Sequence, residues 1–158
     1  MKTFLLFLFL SLASQAQTFE DHCAFMSQWE WFRPSAYVIS GDKTIGYGHK
    51  VPKHSNLRHV TESEARKLLV ADTAAAIVAA RRCVSSYDQQ PAIVKKILVD
   101  LAFNLGESGL RKFRRTISAC NAYEYTRMGN ELTDSLWYHQ TGRRARHHVA
   151  ALYRLTIM

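Results

Sequence analysis

The chain has 158 residues, 47% of them hydrophobic, and a formal net charge of +8. That length suits one domain with a real core. The basic balance points to a polyanionic partner: nucleic acid, anionic membrane or acidic cell wall. No basic region with interleaved aromatics and no zinc-finger spacing is present, so a nucleic-acid partner is not expected.

The N-terminus reads first. Met1 and Lys2 carry positive charge, Phe4 to Ala13 is an apolar run, and Ser14-Gln15-Ala16 offers small residues at a cleavage site. This is the order of a secretory signal peptide. Ten apolar residues are too few for a span, which needs about 20. Residues 1–16 are expected to be removed, leaving 17–158 as one domain for a secreted or periplasmic location. An uncleaved membrane anchor is the alternative.

Residues 19–32 follow a helical period through Phe19, Cys23, Met26 and Glu30. Pro34 is expected to end that helix. The period then changes to two. Residues 36–40 and 43–48 read as strands, with Gly41-Asp42 as a two-residue turn. That register puts Ser40 opposite Lys43 and Ile39 opposite Thr44. Gly46 and Gly48 alternate on the second strand. They leave room for a close approach to the backbone, either by a glycan at Gly48 or by a packed helix.

Thr61-Glu62-Ser63-Glu64 is a capping box. The helix it opens runs to about Cys83, with Ala65, Leu69, Ala76 and Ala79 on its apolar face. Asp72 lies on that face and needs a partner. Pro91 starts the next helix at a tolerated position. Ile93, Ile97, Leu98, Leu101 and Leu105 form its core side, and Gly106 ends it. Short helices are expected near 108–120, 122–129 and 131–137. A last helix, capped by Thr141, reaches Arg154 with Val149, Leu152 and Tyr153 inward.

Cys23, Cys83 and Cys120 are far apart, which suggests neither a redox pair nor a metal knuckle. One disulfide with one free thiol, or three buried thiols, both fit. The adjacent His147 and His148 face different sides of a helix. No metal or cofactor is implied.

Glu30 is the acid with chemical promise. Trp29, Trp31 and Phe32 flank it, and desolvation by aromatics keeps an acid protonated, which suits a general acid. An ordinary surface glutamate is the plain alternative. Glu30, Arg33, Ala36-Tyr37 and Thr44-Ile45-Gly46-Tyr47-Gly48-His49 together resemble the N-terminal motif of the phage-type lysozymes, the endolysin muramidases of glycoside hydrolase family 24. Three further segments resemble the same family, in order: VTESEARKLLVADTAAAIVAARRCV, ILVDLAFNLGESGLRKF and LWYHQTGRRAR. The likeness covers roughly residues 25–155.

The resemblance implies a mostly helical α+β fold of two lobes. A small N-terminal hairpin lobe and a helical C-terminal lobe would be joined by the long helix. It implies a monomeric, cofactor-free enzyme that cuts peptidoglycan between N-acetylmuramic acid and N-acetylglucosamine, without stable membrane insertion. Glu30 falls on the catalytic acid and Thr44 on the threonine that positions water. Asn104 falls on a substrate-contacting amide, and Arg144 on the arginine that faces the catalytic glutamate. His49 and Asp72 fall on a structural His–Asp pair, which answers the need of Asp72 for a partner.

One position departs. The family's usual aspartate, two residues after the motif tyrosine, is Ile39 here. Asp42 could substitute for it, or Glu30 could be the only carboxylate with Thr44 holding the water. The muramic acid 6-hydroxyl could also attack internally, as in lytic transglycosylases. Two other classes stand beside the enzyme: a non-cutting wall-binding module, and a cationic protein that attacks membranes through GRRARHHVAALYR.

Overall fold

A computed structural model describes residues 19–39 and 41–157. The expected signal segment and Ser40 lie outside the described residues. In chain order the elements are helix α1 (residues 19–27), strands β1 (Arg33–Ile39), β2 (Asp42–Gly46) and β3 (His49–Lys50), then helix α2 (Glu62–Cys83). A 3₁₀ turn (Tyr87–Gln89) precedes α3 (Ala92–Leu110), α4 (Arg114–Asn121), α5 (Tyr125–Thr133), α6 (Leu136–Thr141) and α7 (Arg143–Arg154). This is the mostly helical α+β architecture of the lysozyme-like class. The chain divides into two compact units, with the boundary at Ala74–Ala75, inside α2.

In the first unit, α1 buries Phe25 and Met26 and ends earlier than the aromatic period implies. The backbone N–H groups of Trp29 and Glu30 both reach the Met26 carbonyl, at 3.0 and 3.3 Å, closing the last turn. Glu30 therefore stands beyond the helix, in the connection to β1. The three strands form an antiparallel sheet in the order β1-β2-β3.

The register corrects the sequence expectation. Tyr37 pairs with Thr44, Val38 with Lys43, and Ile39 with Asp42. Asp42 is a strand residue, and Gly41, at φ 86°, carries the turn. A positive φ is open to glycine at little cost, and that moves the turn one residue toward the N-terminus. β1 is irregular between Arg33 and Tyr37, where Ser35 instead bridges to His59 and the Ala36 N–H reaches the Arg58 carbonyl at 2.9 Å.

β2 also stops sooner than expected, because Gly46 and Gly48 take φ of 65° and 84°. A side chain at Gly46 would place its Cβ 2.9 Å from that of Ala65. Helix packing is thus the reason for this glycine. Gly48 lies in the turn before β3 and not on a strand face.

The capping box forms as read. The Thr61 N–H and hydroxyl both donate to Glu64 Oε2 at 2.8 Å, and the Glu64 N–H returns to Thr61 Oγ1 at 3.3 Å. Ala65 and Leu69 of α2 close the first core with Ile45, Tyr47, Val51 and Val60.

The second unit is helical. Its core gathers Val94, Ile97, Leu98 and Leu101 of α3, Met128 and Leu132 of α5, Trp137 of α6, and Ala145, Val149 and Leu152 of α7. Gly106, at φ 68° and ψ 173°, breaks α3 where a stop was expected, but one further turn runs on to Leu110. The cap of α7 is Gly142, not Thr141. The Thr141 hydroxyl instead donates back to the Trp137 carbonyl at 2.5 Å. Cys23, Cys83 and Cys120 are all free thiols. Burial pushes the Cys120 thiol up to about 12.

Candidate active site

Two of the expected site residues, Asp42 and Thr44, lie on one face of the hairpin. Residues paired across antiparallel strands face the same side, as do residues two apart along a strand. Tyr37, Ile39, Asp42 and Thr44 therefore share a face, joined by Lys50, the partner of Thr44 on β3. Thr44 is buried at 4% exposure, while Ile39 is 57% exposed. The Thr44 hydroxyl donates to the Asp42 backbone carbonyl at 3.4 Å.

Asp42 itself is exposed. Lys50 Nζ stands 2.8 Å from its Oδ2. The hydrogen bond from Lys50 and then its charge hold the Asp42 carboxyl below the usual range, with Lys53 adding a little. Opposite Thr44, burial raises the Tyr37 phenol above its ordinary value. The Arg33 guanidinium, 4.5 Å from the Tyr37 ring centre, opposes this, and the Glu30 carboxylate reinforces it. Glu30 thus acts electrostatically on the same tyrosine that pairs with Thr44.

His49, the partner of Ile45 and so on the other face, has its Nδ1 2.8 Å from Asp72 Oδ2, both side chains half-buried. The carboxylate that had to find a partner on the apolar side of α2 has found it. Tyr47, one residue after Gly46, donates to Glu62 Oε1 at 3.0 Å, and Arg66 holds the same oxygen at 2.7 Å.

In the second unit Asn104 and Arg144 come together through a third residue. Asp100, one turn before Asn104 on α3, is fully buried at 0% exposure. Arg144 Nε donates to Asp100 Oδ2 at 2.7 Å, and Nη2 donates to Oδ1. His148 Nε2 meets Oδ2 at 2.7 Å. Asn104 Nδ2 donates to the Asp100 carbonyl at 2.8 Å and to Oδ1 at 3.4 Å.

Asp100 and His148 were not singled out from the sequence. The signal was there: an acid inside ILVDLAF raises the same question as Asp72 on α2. Their partners lie 44 and 48 residues away, too far for any local pattern to supply. Among the described residues no group of three or more His, Cys, Asp or Glu could hold a metal ion, and no helix is long and apolar enough to cross a membrane. Residues 27–154 match the family model described as phage lysozyme.

Proposed function

The chain belongs to the phage lysozyme family of peptidoglycan-hydrolysing enzymes, and on that premise we propose that it is a secreted muramidase. It hydrolyses the β-1,4 bond between N-acetylmuramic acid and N-acetylglucosamine after loss of residues 1–16. Glu30 is the general acid that protonates the glycosidic oxygen. Thr44 holds the attacking water, and Asp42 is the second carboxylate. Asn104, Arg144 and Gly48 contact the glycan, and the His49–Asp72 pair supports the hairpin without taking part in the chemistry.

The observation that carries the reading is the cross-strand pair of Ile39 with Asp42. Hydrolysis with a single displacement needs a base to activate water as well as an acid. The family's usual place for that base is Ile39, which moves no proton. Its direct neighbour on the same face is a carboxylate, two residues from Thr44. Lys50 keeps that carboxylate in its ionised form, as a base requires. The basic charge of the chain aids encounter with an acidic wall. The membrane-attack reading is weakened because Ala145, Val149 and Leu152, the apolar side of α7, are spent in the core.

The test is digestion of acetylated and de-acetylated peptidoglycan by the wild type and by Glu30→Gln, with the fragments read by mass spectrometry. Reducing ends that disappear in Glu30→Gln are expected, with a rate loss of about 10²–10⁴ for a lost general acid. Anhydro ends would establish a lytic transglycosylase, with Ile39 as the reason that no water is activated. No cleavage of any substrate would leave a wall-binding protein.

A further inference from the structure

We propose that the pocket formed where α4 meets the ends of α2 and α3 binds a phosphate group, either free or esterified on an anionic wall polymer. It is a second site, separate from the proposed reaction, and does not depend on it.

The pocket lies wholly in the helical unit and has a volume of about 590 Å³. Cys83 ends α2 and Arg111 follows α3, while Arg114, Ile117, Ser118 and Asn121 complete the lining from α4. Those four recur at three- and four-residue steps, so they form one stripe along the helix. None of the six is acidic, and none belongs to the proposed catalytic or glycan-contacting residues.

Charge is the first argument. Arg111 donates through Nε and Nη2 to Glu107 Oε1, at 3.2 and 2.7 Å, and Arg82 Nη1 donates to Oε2 at 3.3 Å. One carboxylate is thus shared by two guanidiniums. Arg114 adds a third permanent cation, and among the described residues it forms no ion pair. It stands in the first turn of α4, where the helix dipole disfavours a cation. No acidic residue shares that turn and no side chain caps it. Local structure gives no reason for an arginine there, whereas an anion in the pocket does. The Cys83 thiol adds no negative charge. Burial raises its pKa, and its Sγ donates to the Glu107 carbonyl at 3.8 Å.

The hydrogen bonds behind the pocket fix its polarity. Tyr125 donates to Gln90 Oε1 at 3.1 Å, so the Gln90 amide nitrogen is turned to Ser86 Oγ, 2.7 Å away. The Ser86 hydroxyl accepts there and donates onward to Asn121 Oδ1 at 2.8 Å, and the Ser86 N–H reaches the same oxygen at 3.0 Å. Asn121 Oδ1 is therefore held from behind. Its Nδ2 meets no acceptor among the described residues and is the edge left to the pocket. Arg111, Arg114, Ser118 and Asn121 together offer donors from the end of α3 and along the whole of α4. Donors spread over two elements suit the tetrahedral oxygens of a phosphate better than the two coplanar oxygens of a carboxylate.

The test titrates the isotope-labelled chain with inorganic phosphate, glycerol phosphate and acetate at fixed ionic strength, following the Ser118 backbone amide and the Asn121 side-chain amide by NMR. Saturable shifts with the two phosphates are expected. Glycerol phosphate bound more tightly than inorganic phosphate supports the esterified source, and the reverse or a tie supports free phosphate. Arg114→Gln should weaken phosphate binding by at least about tenfold. Asn121→Asp keeps the oxygen that Ser86 needs but exchanges the donor for a negative charge, and saturation at the Ser118 amide should vanish. Arg127→Gln removes the same charge from α5, outside the pocket, and should bind like the wild type.

Three results would each overturn the inference: no saturable shift with either phosphate, acetate bound as tightly as phosphate, or a loss in Arg127→Gln equal to that in Arg114→Gln. Arg114 is exposed, so its variant decides if Asn121→Asp does not fold. Cleavage of peptidoglycan is scored apart, so a chain that binds no phosphate but still cuts leaves the proposed function standing.

Discussion

The two units hold their carboxylates in opposite ways. In the hairpin unit Asp42 meets Lys50 in the open, both side chains more than half exposed. In the helical unit Asp100 meets Arg144 and His148 almost wholly out of water, at 0, 8 and 0% exposure. An exposed pair gains little stability, since water and salt screen it. A buried one is paid for in desolvation and is dangerous to break, because the partner is left charged and dry. The difference separates two uses of the same side chain. Asp42 stands where solvent reaches it and the fold does not lean on it, whereas Asp100 is built into the fold.

The comparison breaks most sharply at Asp100. Asp100→Ala removes the buried carboxylate that Arg144 and His148 both bind, and the loss is expected to be about 3–5 kcal/mol. It would be read as a lower denaturant midpoint at unchanged slope. A variant as stable as the wild type would mean that solvent reaches Arg144 and that the buried half of the comparison is wrong.

Asp72→Asn is the intermediate case, because the His49–Asp72 pair is only half-buried. About 1.5–3 kcal/mol of stability should go, the value of a hydrogen bond to a charged group. Turnover per folded molecule should hold. A turnover loss with stability intact would move the pair from support to chemistry.

The smallest effect is at Lys50. The Asp42 carboxyl is held below its ordinary value, so its ionised form persists as pH falls, and it is lost only below the usual carboxylate range. If Asp42 acts ionised, the acid limb of kcat/KM lies correspondingly low. Lys50→Met removes the cause and should move that limb upward, toward an ordinary aspartate, with thermal stability almost unchanged. A limb that stays in place would separate Asp42 from the rate.

Much of this was legible in the residues. Asp72 on an apolar helix face demanded a partner, and the motif order put His49 there. Thr61 and Glu64 announced the start of α2, and Gly106 the break in α3. The errors have physical causes. The aromatic run Trp29 to Phe32 continues the period of α1 after its backbone has turned, so Glu30 looked helical. Gly41-Asp42 reads as the turn, but Asp42 is paired in β2 and Gly41 carries the positive φ. That one-residue shift gave Ile39 the wrong neighbour. Asp100 and His148 were missed because a buried charge is explained by what tertiary structure brings to it, and Arg144 comes from another helix.

The account turns on Asp42 as the carboxylate that Ile39 cannot be. The most direct measurement is the turnover of Asp42→Asn on peptidoglycan beside the wild type, with a thermal unfolding curve for each. The account predicts superimposable unfolding curves and a turnover lower by at least about 100-fold, the usual cost of a lost general base. Wild-type turnover with the same reducing ends in Asp42→Asn would contradict it.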